Sequence, residues 1–417
     1  MKFIHTSDWH LGNSMHDIDR MNEFKMFLSF LLSQIEAENA KALILSGDVF
    51  DSPTPSVDTR SLFYKFLGNL LKTPCKNIII IGGNHDSASL LDAPKELFSA
   101  LNIQVVGSIN NRKIPDLVKV LKDENNNTLG ICIAIPFVRD LDLLNFEELK
   151  TENTKDGNLL LKALYEKALA YALEIKKEKE IPLIATGHLY AANLEGKKQE
   201  ETGVREIIGT LGNVPANIFP NEIDYIALGH IHYKTSVDKN PKIMYSGSPF
   251  VMGFDECTLP HGFLAIDLTK NELKTKFIKF ESDYRYIQIS GSLEEIKNKL
   301  KELAENPETA KNKTFADILL TSGEIVNLNQ ELEEFEKEKP FKVIRHRLSK
   351  SFLKDSALDD DCIESLEQWT PADYFERLIQ EKHPDASEDE IKKEIELLTP
   401  LFNEALEQAK INFNAED

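Results

Sequence analysis

A chain of 417 residues, 41% hydrophobic and 28% charged, has the composition of an ordinary globular protein and is too long for one average domain. Its four cysteines lack Cys-x-x-Cys spacing, which argues against a disulfide framework and against a zinc knuckle. No apolar run approaches the length of a membrane span, and residues 1–6 resemble a strand more than a signal peptide. We therefore expect a cytoplasmic protein that does not contact a membrane.

The net charge of −20 is unevenly distributed along the chain. Residues 351–417 contain 19 acidic and 6 basic side chains, a net charge of −13, so the first 350 residues carry only −7. Net charge therefore does not exclude a nucleic-acid partner, because local basic patches would decide that question.

Residues 1–275 alternate strand-like and helix-like segments, which predicts an α/β fold with a layered sheet core flanked by helices. A polar stretch at 123–127 predicts a hairpin turn between strands at 117–121 and 129–135. Later strands come without long helices between them, which favours a mixed sheet. The other predicted strands are 2–6, 42–45, 78–81, 182–186, 225–228, 242–245 and 263–268, and the predicted helices are 21–36, 60–71 and 160–175.

A second, smaller α+β module is predicted over 281–350. Beyond it, residues 351–417 are predicted to form an acidic linker and a helical tail, in which Ser387 and Glu390 make a capping box. The module's predicted strands are 284–289, 314–321 and 341–348, its predicted helices are 293–304 and 325–337, and those of the tail are 371–380 and 387–411.

Polar side chains directly follow five of the predicted strands. In chain order they are Asp8 and His10, Asp48 and Asp51, Asn84 and His85, His188, and His230 and His232. Strand ends that deliver Asp, Asn and His side chains to one edge of a sheet are typical of a two-metal hydrolase site.

Two metal ions need a bridging carboxylate, and Asp48 is the natural candidate because it follows an apolar strand and a glycine. Asp8, His10 and one later histidine can complete one ion, while Asn84 and two later histidines complete the other. Imidazole mixed with carboxylate and carboxamide oxygen suits Mn²⁺, Fe²⁺ or Zn²⁺ better than Mg²⁺.

His85 adjoins Asn84 and is predicted to face the substrate, where an imidazole can protonate a leaving oxygen. We expect the Asp51 carboxylate to orient His85 by hydrogen bonding. Trp9, between two candidate ligands, is predicted to be a packing residue.

Each motif taken alone has an ordinary explanation, because Asp, Asn and Gly cluster in surface turns. The set is more specific, since five of the ten histidines lie in these strand–glycine–polar contexts. The remaining five are expected in the core or on the surface: His5, His16, His261, His346 and His383.

The motifs HTSDWHLG (5–12), GDVFD (47–51), GGNHDS (82–87) and ALGHIH (227–232) resemble the SbcD family, the nuclease subunits of bacterial SbcCD complexes within the calcineurin-like metallophosphoesterases. The stretches IGTL (208–211), YSGSP (245–249) and FDEC (254–257) share this resemblance, which covers about residues 1–260. It implies a metallophosphoesterase β-sandwich over 1–275, a capping domain that positions DNA over 281–350, and a tail at 351–417 whose helices bind an SbcC-type ATPase.

The resemblance also implies roles for individual residues. Asp8, His10, Asp48 and His232 would hold one manganese ion, Asp48, Asn84, His188 and His230 a second, and His85 would be the catalytic histidine. The implied activity is 3′–5′ exonuclease on duplex DNA and endonuclease on single strands and hairpins, in DNA end processing and repair at the nucleoid.

Assembly and DNA contact are predicted less directly. We expect a homodimer within a heterotetramer, with helices 21–36 and 60–71 as candidate dimer helices, although their apolar faces could equally pack on the sheet. The candidate DNA contacts are Lys342, Arg345, Arg347 and Lys350 in one basic strand, together with Arg20 and Arg60; a solvated face explains each equally well.

Two other functions stay open from the sequence. The same site would serve a phosphomonoesterase or a phosphoprotein phosphatase, because the two-metal chemistry is shared. A non-catalytic scaffold that binds partners through the tail is the second alternative. The extra module and the acidic tail favour a polymeric substrate and a protein partner.

Overall fold

The computed structural model describes residues 1–16, 18–177, 179–191, 214–269, 272–306, 309, 313–322, 341–348, 379 and 395. They belong to two compact units, the first ending at Tyr286 and the second beginning at Ile287. The stretch at 208–211, Lys350, the predicted helix at 325–337 and, apart from residues 379 and 395, the predicted tail at 351–417 lie outside the described residues. In the described part of the chain, no helix has both the length and the apolar character that crossing a bilayer requires.

The strands are β1 (Lys2–Thr6), β2 (Ala42–Ser46), β3 (Asn77–Ile81), β4 (Ile103–Val106), β5 (Val118–Lys122), β6 (Thr128–Ala134), β7 (Leu183–His188), β8 (Tyr225–Gly229), β9 (Thr235–Val237), β10 (Asn240–Tyr245), β11 (Gly262–Leu268), β12 (Leu273–Lys279), β13 (Tyr284–Ser292), β14 (Lys313–Ser322) and β15 (Phe341–Leu348). The helices are α1 (Met21–Ala37), α2 (Val57–Leu70), α3 (Ala88–Asp92), α4 (Lys95–Ala100), α5 (Ile114–Leu117), α6 (Asp140–Asn145), α7 (Gly157–Lys176) and α8 (Leu293–Glu305). Short 3₁₀ turns occupy Glu147–Leu149, Ala216–Ile218 and Phe254–Glu256.

Two six-stranded mixed sheets form the first unit, which confirms the predicted layered α/β fold. The first sheet has the order β12-β11-β1-β2-β3-β4. Strands β1 to β4 are parallel to one another, β11 is antiparallel to β1, and β12 is antiparallel to β11. The second has the order β5-β6-β7-β8-β10-β9, with β6, β7, β8 and β10 parallel. The predicted hairpin is present as the antiparallel pair β5–β6.

Side-chain alternation along the strands of the first sheet separates two cores. Phe3, Ile44 and Ile79 face the second sheet, and their neighbours Ile4 and Leu43 face helices α1 and α2. A parallel sheet covered on both faces needs strands that are apolar throughout, and β2 and β3 are buried at every position. Full burial stabilises the fold by about 1.5–3 kcal/mol for each large apolar side chain.

Trp9 lies in the helix-facing core, as predicted for a packing residue. It is fully buried and makes edge-to-face contacts with Phe27, Phe63 and Phe66 at ring-centroid distances of 5.7, 6.4 and 5.4 Å. Its indole nitrogen donates a hydrogen bond to Thr6 Oγ1 at 2.8 Å, so its one polar atom is satisfied.

Arg20 is buried, so its predicted contact with DNA is wrong. Its guanidinium donates to Glu23 at 2.8 Å and to the Asn13 side chain at 2.8 Å. The same group lies 5.4–5.6 Å from the ring centres of Phe24, Phe250 and Tyr286. A guanidinium enclosed by three aromatic rings and a carboxylate stabilises the core and is not available to phosphate.

The predicted end of the first domain at residue 275 falls within a strand. β12 runs to Lys279, which pairs with Gly262 of β11, and the boundary of the first unit follows Tyr286. β12 is an edge strand of the first sheet, and Lys274, Lys276 and Lys279 on it are exposed. Its charged, weakly alternating sequence is the reason that it was not predicted.

In the second unit, the described strands form a sheet of order β13-β14-β15, with β14 and β15 parallel. Helix α8 packs its apolar face on this sheet, with Ile296 and Leu300 in a core shared with Ile289 and Ile318. Ser292 and Glu295 form the capping box that begins α8. The α+β architecture predicted for this module agrees with the elements that are described.

Candidate metal centre

The predicted polar residues gather where strands of both sheets end. Loops after β1, β2 and β3 carry Asp8, His10, Asp48, Asn84 and His85, while His188 ends β7 and the residues after β8 include His230 and His232. Parallel strands bring their carboxyl ends to one edge, and the packing of the two sheets brings the two edges together. All eight predicted residues therefore contribute to a single site.

The first two loops run side by side. Asp8 N–H donates to Gly47 O at 3.1 Å and His10 N–H donates to Asp48 O at 3.0 Å. Asp8, His10 and Asp48 have φ angles of 54°, 43° and 49°, in the left-handed region that non-glycine residues seldom adopt. A left-handed backbone conformation costs on the order of 1–3 kcal/mol of folding free energy per residue, so the surrounding hydrogen bonds must hold these three residues in place.

Asp86 supplies several of those hydrogen bonds. Its carboxylate accepts N–H groups from Val49 at 3.1 Å, Phe50 at 3.0 Å and Gly83 at 2.9 Å. These donors belong to the loops after β2 and β3, so one carboxylate connects the loop of Asp48 to the loop of Asn84. The sequence motif at 82–87 includes Asp86, but this role was not predicted.

The ligand-type atoms of the predicted metal ligands form two groups, and a third group of His10, Asp51 and His85 shares His10 with the first. One atom from each of Asp8, His10 and His232 lies within 4.8 Å of the others, and the same holds for Asp48, His188 and His230. The Asn84 amide oxygen joins the second group, at 3.0 Å from His188 Nε2 and 2.9 Å from His230 Nδ1.

Asp48 belongs to the second group and also faces the first. Its Oδ2 is 3.5 Å from His10 Nε2 and 3.3 Å from His188 Nε2, while its Oδ1 accepts the backbone N–H of His85 at 2.9 Å. Burial opposes ionisation of this carboxyl, but the neighbouring His188 and His10 hold its pKa well below the ordinary value. An ionised carboxylate that faces both groups is what a bridging ligand requires.

The polar atoms of the site fit a divalent cation better than they fit one another. Both ring nitrogens of His10 are buried. Nδ1 lies 3.2 Å from the Asp51 carboxylate, and Nε2 forms no well-aligned hydrogen bond with any described residue. A buried, unpaired imidazole nitrogen 3.5 Å from a carboxylate oxygen is costly, and an ion between them would satisfy both groups.

Neighbouring carboxylates raise the pKa of two ligand-type histidines. Burial alone lowers the pKa of His188, but the Asp48 carboxylate outweighs it and raises that pKa to about 9. For His232, burial is likewise outweighed by the hydrogen bond to Glu256, and the pKa is again raised to about 9. His230 is the opposite case, since burial and the nearby His188 lower its pKa to about 3. Ligation requires neutral imidazole, so ion binding must release protons.

His85 is exposed at the mouth of the site and is oriented by Asp51, but not as predicted. Its Nδ1 lies 2.9 Å from the backbone carbonyl oxygen of Asp51, which leaves Nε2 for a substrate. The Asp51 carboxylate instead lies 3.2 Å from His10 Nδ1 and accepts the Asn13 amide at 3.1 Å. The expected hydrogen bond from the Asp51 side chain to His85 is therefore wrong.

The structure adds Glu256 to the site. Its Oε1 lies 3.1 Å from His232 Nδ1, although it follows that histidine by 24 residues. The stretch 254–257 was singled out by resemblance alone, and no spacing rule links it to a metal motif. Among the histidines given no role, His5 is buried against Tyr225 and Leu228 and His261 against Ser248, as expected of core residues.

Comparison with known proteins agrees with this architecture. Residues 1–234 match the calcineurin-like phosphoesterase family, whose members bind divalent metal ions. Residues 286–383 match a second family, described as the C-terminal domain of the type 5 capsule protein repressor. The first match covers more than half of the chain, including all eight residues of the site.

Several curated relatives carry the name of the SbcD subunit of the nuclease SbcCD. The chain is 34% identical over 260 residues to the SbcD subunit of Escherichia coli K12, a match that covers 62% of each protein. It is 32% identical over 275 residues to that of Rhodobacter capsulatus, with 64% of this chain and 66% of the relative covered. The corresponding protein of Bacillus subtilis is 26% identical over 279 residues, with 66% and 68% covered. The match thus spans less than two thirds of the first of these relatives.

A close approach between two loops of the site predicts the effect of one methyl group. A Cβ at Gly83 would lie 2.1 Å from Asp48 Oδ1 and 2.4 Å from Asp48 N, and backbone atoms cannot give way by that amount. We expect Gly83→Ala to displace Asp48 and to weaken Mn²⁺ binding by about 10-fold or more, measured by equilibrium dialysis.

Gly68 provides the matched control, because a Cβ there meets no described atom within 4 Å. Gly68→Ala should leave Mn²⁺ binding unchanged and stabilise helix α2 by about 0.5–1 kcal/mol. Unchanged Mn²⁺ binding in Gly83→Ala would contradict the position given to Asp48.

Proposed function

This chain belongs to the calcineurin-like phosphoesterase family, and on that premise we propose that it is a two-metal DNA nuclease. The observation that carries the proposal is the ionised Asp48 carboxylate, which belongs to one group of ligand-type side chains and faces the other. The names of the curated relatives support DNA as the substrate. The proposed activities are 3′–5′ exonuclease on duplex ends and endonuclease on single strands and hairpins.

The proposed ions are two Mn²⁺. One is held by Asp8, His10, Asp48 and His232, and the other by Asp48, Asn84, His188 and His230. The mixture of imidazole, carboxylate and amide donors supports manganese over magnesium. When bound, the ions would polarise a phosphate and supply a nucleophilic hydroxide.

The chain's own groups complete the proposed mechanism. His85 Nδ1–H donates a hydrogen bond to the backbone carbonyl oxygen of Asp51, which fixes the ring and directs Nε2 outward. A proton carried on Nε2 can pass to the departing sugar oxygen as the phosphodiester bond breaks. Asp86 accepts hydrogen bonds from the loops of Asp48 and Asn84, and we propose that it fixes the two loops relative to each other while the substrate binds.

Three described basic residues of β15 are proposed to contact DNA phosphates. Lys342 and Arg347 are exposed, and Arg345 is partly exposed. Arg345 and Arg347 both bind the buried carboxylate of Asp317, which fixes the two guanidinium groups and neutralises one charge. A basic strand that keeps its orientation while retaining net positive charge suits backbone phosphates.

The proposed partner is an SbcC-type ATPase bound by the helices of the tail at 351–417. The sequence contains no GxxxxGK[ST] motif, so ATP-driven opening of duplex DNA would have to come from such a partner. The family matched by residues 286–383 and the names of the relatives support this assembly, which we propose acts at the nucleoid in the cytoplasm.

A second copy of the chain is the other proposed partner, in a homodimer within a heterotetramer. The apolar faces of α1 and α2 are both buried in the core of the chain itself, so neither of the two predicted faces is available to a second copy. Helices α2 and α4 are connected by a ring contact between Tyr64 and Phe98. Tyr64 on α2 (40%), Leu97 on α4 (64%) and Leu101 directly after α4 (41%) are exposed. We propose that this apolar surface covers its counterpart in the dimer.

A charge placed on that surface should separate the dimer. We expect Leu97→Glu to shift the mass measured by light scattering after gel filtration from two chains to one. Leu141→Glu on α6, where the side chain is 66% exposed, is the matched control and should remain dimeric. A wild-type monomer, or a dimeric Leu97→Glu variant, would reject this surface.

The nuclease proposal is tested by cleavage of an end-labelled DNA duplex in the presence of Mn²⁺. His85→Ala should lower the rate by about 10²–10⁴-fold, because proton donation to the leaving oxygen is lost, and should keep its bound Mn²⁺. Hydrolysis of a nitrophenyl phosphate monoester is measured beside it. Monoester hydrolysis without DNA cleavage would instead support a phosphomonoesterase, and an inert protein that binds no Mn²⁺ would support a scaffold.

Contact between β15 and phosphate predicts a change in salt dependence. The double variant Lys342→Glu and Arg347→Glu should bind DNA more weakly, and the slope of log K against log salt should fall by about 0.9 for each phosphate that the protein no longer neutralises. Lys299→Glu with Lys301→Glu, the same charge change on the exposed side of α8, is the control. Equal slopes for the two double variants would remove β15 from the DNA-binding surface.

A further inference from the structure

The histidines of the two ligand groups differ in the partner of the ring nitrogen Nδ1. His232 Nδ1 lies 3.1 Å from the Glu256 carboxylate, and His10 Nδ1 lies 3.2 Å from the Asp51 carboxylate. Both histidines belong to the group of Asp8. In the other group, His188 Nδ1 lies 2.9 Å from a neutral backbone carbonyl, that of Ser46.

Glu256 is itself held in place, which distinguishes it from a chance surface contact. Its Oε2 accepts the backbone N–H of Met252 at 3.1 Å, and its backbone carbonyl lies 3.2 Å from His261 Nε2. The side chain is 15% exposed and belongs to the 3₁₀ turn Phe254–Glu256. Its other oxygen, Oε1, is therefore directed at His232 Nδ1.

A carboxylate in this position affects the other nitrogen of the ring. When Nδ1–H donates to Glu256, the Nε2 lone pair is left free to bind a cation, and the rotation of the ring is restricted. The negative charge behind the ring also makes the Nε2 lone pair a stronger ligand for a cation. His232 supplies one of three ligand-type atoms within 4.8 Å of one another, with Asp8 and His10.

The charges around the two groups are unequal. The first group contains the Asp8 carboxylate and has two further carboxylates, Asp51 and Glu256, directly behind its histidines. The second group contains Asn84, which is neutral, and shares Asp48 with the first. A divalent cation gains more from the first arrangement, since affinity rises with the carboxylate charge around a site.

We propose that Glu256 is a positioning residue for His232 and, together with Asp51, makes the cation position of Asp8, His10 and His232 the tighter of the two and the first to fill. This inference rests on the two-metal site proposed above. It assigns no chemical step to Glu256, which acts through the imidazole that it orients.

The test is a titration of the ion-free protein with Mn²⁺, followed by the electron paramagnetic resonance signal of the unbound ion. The wild type should bind two ions in distinct steps. Glu256→Gln should weaken the tighter step on the order of 10–100-fold and leave the weaker one unchanged. Glu272→Gln is the control, since that glutamate is exposed and pairs with Lys274 at 3.0 Å on the surface.

Two further variants assign the effect to one position. In an Asn84→Ala background, which removes a ligand of the second position, the remaining ion should show the full effect of Glu256→Gln. In a His232→Ala background, Glu256→Gln should cause no further loss, because the imidazole that it orients is gone. A purely structural role would lower affinity equally in both backgrounds.

Folding is checked by thermal unfolding of each ion-free variant. If Glu256→Gln fails to fold, Glu256→Asp replaces it, and the shorter carboxylate should show the same selective loss at the tighter step. Two equal steps in the wild type, or unchanged constants in the Glu256 variants, would overturn the inference and leave the nuclease proposal intact. Absence of any Mn²⁺ binding would defeat the two-metal proposal itself.

Discussion

The position of one buried carboxylate, that of Asp48, constrains how the two sheets of the first unit pack. Asp48 must face imidazoles from two different sheets, so both sheets have to end at the same edge and pack within a few ångströms there. That closeness leaves no room for a Cβ at Gly229, where it would lie 1.9 Å from Ser46 O. The same requirement explains why backbone strain is concentrated at the site, since the loops must turn sharply directly after β1 and β2.

Much of the fold was predictable because the buried parallel strands are continuous apolar runs ended by glycine or polar residues. Every strand and helix predicted within the described residues is present, with bounds that differ by three residues at most. The edge strand β12 and the short elements from Ala88 to Val106 were not predicted. A segment of only a few residues is too short to show a clear hydrophobic period. The candidate ligands were predictable for a related reason: strand ends bring together residues that are distant in sequence.

Side-chain direction was much less predictable. Asp51 was assigned to the correct neighbourhood, yet its carboxylate faces His10 and its carbonyl faces His85. Arg20 and Arg345 looked alike as basic residues, but aromatic rings enclose one, while the other is held by Asp317 with part of its surface in water. Whether a charge is buried depends on tertiary neighbours that no local pattern encodes.

Among the described residues, β12 forms one edge of the first sheet and carries three exposed lysines. A second strand that paired with β12 would have to bury Lys274, Lys276 and Lys279 against its own backbone, and lysine on an edge strand opposes such pairing. Two copies of this chain are thereby discouraged from joining edge to edge into a continuous sheet. We expect the same three side chains to oppose aggregation during synthesis, when strands are exposed before their partners arrive.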